Sequence, residues 1–327
     1  MLPSPVMLAF LVLVAGLVVG PVQEPPPDAP AASPQGVFRS GAELVTLNVA
    51  VTDRREQQVT GLGREDFVVI EEGQPQEIRF FASSEVPLDV VLLIDTSSSM
   101  SEKLATVQEA ARRFLATLRP ADRAAVVEFN TQVKILQAFT SDHPALEQAV
   151  AATRARGNTA LHMGLYVALD YFSRLQREGG DVRRSAIIVL SDGEDTASLI
   201  GEEEVRERAR RVGVPLYFIS LLSSLEEQEL ARAGGRRRST PREFALRTLS
   251  LESGARAFFP AALDELNGVY QAVARELSHQ YTIAYSPENA TADGRFRRVV
   301  VRVPGRPDAR PHTRAGYYAP GSTTRLR

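Results

Sequence analysis

Residues 86–99 read VPLDVVLLIDTSSS, and this stretch decides the fold. Val86 to Ile94 is an almost unbroken apolar run, the texture of a strand buried on both faces, and it ends directly in Asp95-Thr96-Ser97-Ser98-Ser99. A second such run, Ala186 to Leu190 (AIIVL), leads into Ser191-Asp192-Gly193. In open parallel sheets ligands collect beyond the carboxyl ends of the strands, so Asp95 and Asp192 can converge although they are far apart in sequence. Thr159, in Gly157-Asn158-Thr159, falls at a loop between them. Asp95, Ser97, Ser99, Thr159 and Asp192 together read as a divalent-metal site. Hydroxyls and carboxylates are hard donors that suit Mg²⁺, or Ca²⁺ or Mn²⁺, rather than zinc, and no histidine is required. A Ser-rich turn after a strand is also a common helix N-cap, so Ser99 or Ser101 can cap a helix starting near Glu102 without any metal.

Around this stretch, strands and helices alternate. Leu104, Val107, Ala111, Phe114 and Leu118 recur at helical spacing before Pro120. Strands are expected at Ala124 to Phe129 and Val133 to Leu136, joined by a turn at Asn130-Thr131-Gln132, and helices at Pro144 to Ala152 and Leu161 to Leu175. Beyond Asp192 the pattern predicts a helix over Glu202 to Val212, a strand over Pro215 to Leu221, a helix over Pro241 to Ser250, a strand over Arg256 to Phe259 and a helix over Leu263 to Leu277. Such alternation implies a doubly wound, mostly parallel α/β sheet with helices on both faces.

Toward both ends the period changes to two. Val45, Leu47, Val49 and Val51 alternate with Thr46, Asn48, Ala50 and Thr52. Phe67 to Glu72 and Glu77 to Ala82 read as a hairpin about Gly73-Gln74-Pro75. The same texture returns at Tyr281, Ile283 and Tyr285, at Val299, Val301 and Val303, and at Ala315 to Tyr318. Neither terminal segment holds enough strands to bury a core securely alone. Together they are expected to form a β-sandwich into which the central domain is inserted. The organisation is therefore read as a signal peptide (1–20), a Pro-rich linker (21–37), sandwich segments at 38–85 and 281–320, an α/β domain at 86–280 and a tail at 321–327.

The leader, Val6 to Val19 (VMLAFLVLVAGLVV), is too short for a comfortable membrane span and matches the apolar region of a signal peptide, with an uncleaved amino-terminal anchor as the alternative. An exported protein, periplasmic or secreted, is the expectation. The chain has 38 basic and 40 acidic residues, a balance that exerts no pull toward nucleic acid or anionic lipid. It contains no cysteine, which removes disulfides, thiol catalysis and thiolate metal sites together. Lys103 and Lys134 are its only lysines. His143, His162, His279 and His312 are scattered, without the i,i+4 pair of a helical metal site.

D-x-S-x-S after a hydrophobic strand, then G-x-T, then S-D-G, in this order, resembles the metal-ion-dependent adhesion site of the von Willebrand factor type A family. The flanks VTGL…DF (Val59 to Phe67), EEGQPQEI (Glu71 to Ile78), ELSHQYTIAY (Glu276 to Tyr285) and GYY (Gly316 to Tyr318) are similar to a bacterial secreted branch of that family, of acidobacterial type. The resemblance implies that the hydroxyls of Ser97, Ser99 and Thr159 touch the metal, with Asp95 and Asp192 acting directly or through water. A carboxylate from a partner protein then completes the coordination, so the chain is expected to bind rather than to catalyse. The alternatives are a structural module with a vestigial site that assembles through β-edges, and a metal-dependent phosphatase using Asp95 as nucleophile. In the latter the second acidic position of D-x-D is occupied here by Ser97. Arg236, Arg237 and Arg238 follow the strand ending near Leu221, so they are candidates to flank the ion and attract an acidic partner. Glu194 and Asp195 read as solvated loop residues. Asp192→Ala is expected to abolish metal-dependent binding and leave the fold intact.

Overall fold

The computed structural model describes residues 44–83, 86–177, 183–221 and 240–321. The expected leader, the Pro-rich linker and almost all of the tail lie outside them. The first strands are β1 (Val45–Thr52), β2 (Val68–Glu71), β3 (Gln74–Gln76) and β4 (Ile78–Ser83). Next come β5 (Leu88–Asp95), α1 (Leu104–Leu115), β6 (Arg123–Phe129), β7 (Val133–Thr140), α2 (His143–Ala152) and α3 (Leu161–Arg177). They are followed by β8 (Arg184–Ser191), α4 (Glu202–Val212), β9 (Leu216–Ser220), α5 (Pro241–Ser253), β10 (Ala257–Phe258) and α6 (Leu266–Ser278). The last strands are β11 (Tyr281–Tyr285), β12 (Phe296–Arg302), β13 (Arg310–His312) and β14 (Gly316–Tyr318).

The described residues adopt the expected class, a doubly wound sheet inserted in a small β-sandwich. The central sheet has the order β10-β9-β8-β5-β6-β7. All of its pairings are parallel except β7 on β6, which closes one edge as an antiparallel hairpin. Every residue of β5 is buried, because its alternate side chains feed two cores. Leu88, Val90, Leu92 and Ile94 pack with Val107 and Phe114 of α1, Leu146 of α2 and Tyr270 of α6. Val91 and Leu93 pack with Leu165 and Phe172 of α3, Val205 of α4 and Leu249 of α5. Each such side chain contributes about 1.5–3 kcal/mol on burial, so a polar residue on either face of β5 would cost one of the two cores.

Two four-stranded sheets, β13-β1-β11-β4 and β14-β12-β2-β3, face each other across a separate core of Leu47, Val49, Phe67, Val69, Ile283, Val299 and Val301. β1 pairs antiparallel with β11, so strands from either side of the central domain share one sheet. The Glu71 carboxylate accepts from Tyr285 Oη at 2.7 Å and from Tyr317 Oη at 3.0 Å. These bonds keep a buried acid satisfied between the two sheets.

The expected hairpin of Phe67 to Glu72 with Glu77 to Ala82 is not what forms. β2 turns at Glu72 (φ 47°) and Gly73 (φ 85°), both left-handed as a two-residue type I′ turn requires, and pairs with the short β3. β4 crosses to the other sheet and pairs with β11. The reason is local. Glu72-Gly73 closes a tighter turn than Gly73-Gln74-Pro75, and the four residues left before Ile78 suffice only for a stub. β13 on β1 was also unforeseen, its sequence Arg-Pro-His carrying no strand signature.

The sandwich is fixed to the edge of the central sheet where the strands begin. Tyr318 Oη donates to Glu207 of α4 at 2.6 Å, Arg211 lies 4.4 Å from the Tyr318 ring centroid, and Ala315 N donates to Glu252 O at 2.9 Å. The opposite edge, where β5 and β8 end, carries the candidate site.

Candidate metal centre

The sheet brings Asp95 and Asp192 to the ends of neighbouring parallel strands, β5 and β8. Between β5 and α1 the chain makes a short 3-10 turn at Ser98–Met100. Ser99 does not cap α1. Its Oγ donates to Asp192 Oδ1 at 2.7 Å and lies 3.0 Å from Ser97 Oγ. Asp95 accepts Ser97 N on Oδ1 at 2.8 Å and Ser191 Oγ on Oδ2 at 2.5 Å.

The third segment is held by its backbone. Gly157 is left-handed at φ 72°, and its carbonyl accepts Ser98 N at 3.0 Å. Asn158 N donates to Thr131 Oγ1 at 2.9 Å, and Arg156 N to Thr96 O at 2.7 Å. Thr159 therefore lies beside Asp192-Gly193: a Cβ added at Gly193 would stand 3.2 Å from Thr159 Oγ1. All five residues expected at the site thus cluster at one sheet edge, Ser99 exposed and the other four buried. Arg236, Arg237 and Arg238 lie outside the described residues.

Several neighbours escaped the sequence reading. Lys103 Nζ donates to Asp192 Oδ2 at 2.8 Å, and the pair is buried, with side-chain exposures of 6% and 0%. Ser191 orients Asp95, as noted. Thr96 Oγ1 accepts from Asn130 Nδ2 at 3.0 Å, tying the loop to the end of β6. Arg242, near the start of α5, donates to Asp192 O at 3.0 Å. For Lys103 a signal was available: it is one of only two lysines, and it falls in the turn after D-x-S-x-S. Asp195 is not a solvated loop residue. Its carboxylate accepts His162 N at 2.7 Å and Ser198 N at 2.9 Å, anchoring the first turn of α3. Burial pushes its pKa up, but those hydrogen bonds outweigh it and hold the group below the ordinary range. Asp192 itself is fully buried.

Burial, and then the nearby Asp192 charge, push the Asp95 carboxyl up to about 6, against the lowering effect of the Ser191 and Ser97 hydrogen bonds. Among the described residues no three His, Cys, Asp or Glu side chains come together, so the cluster is not a carboxylate cage. With both carboxylates hydrogen-bonded, its donors are mainly hydroxyls. That oxygen-only set fits a hard divalent ion and leaves the ion's charge largely unneutralised.

Residues 90–194 match the family model for the von Willebrand factor type A domain. The UPF0353 protein of Mycolicibacterium paratuberculosis is 27% identical over 206 residues, covering 58% of this chain and 61% of that protein. Inter-alpha-trypsin inhibitor heavy chain H1 of Sus scrofa is 30% identical over 149 residues, 42% of this chain and 16% of that one. The chain thus spans less than two thirds of the length of these relatives. Among solved structures, a von Willebrand factor type A protein from Catenulispora acidiphila aligns with a TM-score of 0.48 at 13% identity, covering 88% of this chain and 76% of that one. The vWF domain of the type V pili tip protein Mfa5 from Porphyromonas gingivalis aligns with a TM-score of 0.44 at 16% identity, covering 58% and 94%. The match across β5 to the end of β8, with the motif residues at the sheet edge, identifies the central α/β region as a von Willebrand factor type A domain.

Proposed function

We propose that this chain is an exported protein-interaction module that captures an acidic side chain of a partner protein through a bound divalent cation, Mg²⁺ by preference. The observation that carries the reading is the convergence of Ser97, Ser99 and Thr159 with two buried carboxylates at the carboxyl edge of the parallel sheet. In this reading Ser97, Ser99 and Thr159 hold the ion through their hydroxyls, and Asp95 and Asp192 act directly or through water. When bound, the ion supplies an electrophilic position open to a carboxylate oxygen. Asp95, fixed by Ser191 and the Ser97 amide, orients the loop. Asp192, fixed by Ser99 and Lys103, orients the hydroxyl donors. Nothing in this arrangement calls for a covalent step, and a phosphatase reading would lack the second aspartate, its place being taken by Ser97.

Export rests on the apolar leader; no helix among the described residues is long and apolar enough to cross a membrane. The pili tip protein similar in fold is a neighbour with which the interaction role accords. The deciding experiment is calorimetric titration of chelator-treated protein with Mg²⁺. Saturable binding that Ser97→Ala/Ser99→Ala removes is expected. Equal Mg²⁺ affinity in parent and double variant would overturn the reading.

A further inference from the structure

We propose that Lys103 is a resident cation of the metal centre: it weakens metal binding and leaves the loaded centre one charge more positive, which favours an anionic ligand. The inference rests on the metal-binding reading above and goes beyond it.

Where the side chain sits is the first argument. Lys103 occupies the N-cap position of α1, the end of a helix at which a cation is disfavoured by the backbone dipole. It is also buried, where an ammonium loses its hydration. Both disadvantages are accepted to place Nζ 2.8 Å from Asp192 Oδ2.

The choice of residue is the second. Of 38 basic residues only Lys103 and Lys134 are lysines, so arginine is this chain's ordinary cation. A guanidinium is a broad planar fork that seeks paired acceptors, whereas an ammonium is a compact point charge on a flexible stem. Asp192 offers one oxygen, its other being engaged by Ser99 Oγ. A point charge suits that geometry.

The charge balance supplies the consequence. Among the described residues Asp95 and Asp192 bring negative charge, Lys103 brings one positive charge, and Arg242 reaches the Asp192 carbonyl, so Lys103 makes the centre one charge more positive than it would be without it. With a divalent ion bound, the centre ends one charge more positive than the same centre without the lysine. The ammonium therefore repels the incoming ion and, once the ion is bound, attracts a carboxylate. Metal and ligand are thereby coupled: the ion is held loosely until an anion joins it.

The test is titration of Mg²⁺ alone into chelator-treated full-length protein, comparing the parent with Lys103→Met and Lys103→Arg, each checked for folding by circular dichroism. Lys103→Met is expected to bind Mg²⁺ at least about tenfold more tightly, and Lys103→Arg to stay within about threefold of the parent because the charge is kept. A merely structural lysine would not raise metal affinity when removed. Should Lys103→Met fail to fold, Lys103→Gln is measured in its place with the same expectation. Unchanged or weaker Mg²⁺ binding in the neutral variant overturns the inference and leaves metal binding standing. Binding by neither protein overturns the metal reading and the inference with it.

Discussion

In the metal-free protein Lys103 and Asp192 form a buried ion pair whose energetics a double-mutant cycle can read. Asp192→Asn preserves side-chain volume and an acceptor for Ser99 Oγ, but it removes the carboxylate charge that lies 2.8 Å from an ammonium whose side chain is 6% exposed. Breaking a buried pair in this way costs about 3–5 kcal/mol. Lys103→Met removes the ammonium from the buried Asp192 carboxylate, with a cost of similar size, about 3–5 kcal/mol. In the double variant neither half of the pair is stranded. It should therefore be less destabilised than the sum of the singles by about 1.5–3 kcal/mol, the coupling expected of residues in direct contact. The measurement is urea unfolding in excess chelator, followed by far-ultraviolet circular dichroism and extrapolated linearly to water. Against a total stability of about 5–15 kcal/mol each single variant shifts the midpoint visibly. Additivity within about 0.5 kcal/mol would show that the two groups do not sense each other and would refute the ion pair.

The attachment of the sandwich makes Gly254 sensitive. It is left-handed at φ 87°, and an added Cβ would stand 2.5 Å from the Thr313 carbonyl carbon, so Gly254→Ala should lose about 2–4 kcal/mol. Gly61→Ala, equally left-handed at φ 77° but with nothing near the added atom, should lose only about 1 kcal/mol; equal losses by urea unfolding would argue against close docking at Gly254. Ending the chain at Gln280 removes β11 from between β1 and β4, and should raise protease cleavage across Val45–Ser83; an unchanged digestion pattern would show that this segment folds without the carboxyl-terminal strands. His312 is half-buried beside Thr52 Oγ1, and partial burial followed by Arg256 and Arg310 lowers its pKa. The unfolded chain protonates this group near pH 6.5, so its contribution to stability is present above about 6.5 and is lost as pH falls from there through the folded value. Replacing His312 by Asn should remove that part of the pH dependence, and a parent-to-variant difference identical at pH 5 and pH 8 would contradict the assignment.

The sequence by itself determined the central sheet and the five residues that meet at its carboxyl edge. An apolar run of the VVLLI kind has no exposed face, so it specifies a strand covered by helices on both sides. The chain direction then sends Asp95 and Asp192 to one edge, whatever the intervening loops do. Tertiary structure alone decided the rest. Which strand β4 joins depended on the left-handed turn at Glu72-Gly73 and on the arrival of β11 from the far side of the inserted domain, and neither leaves a period in the sequence. β13 holds its place through pairing with β1, not through its own propensity. The rarity of lysine singles out Lys103, and Ser191 lies in the S-D-G motif, but both meet the carboxylates only because the turn after β5 folds back onto the end of β8. Hydrophobic periodicity is a property of each segment and survives being read alone, whereas charge pairing and strand partnership exist only between segments that the fold has already brought together.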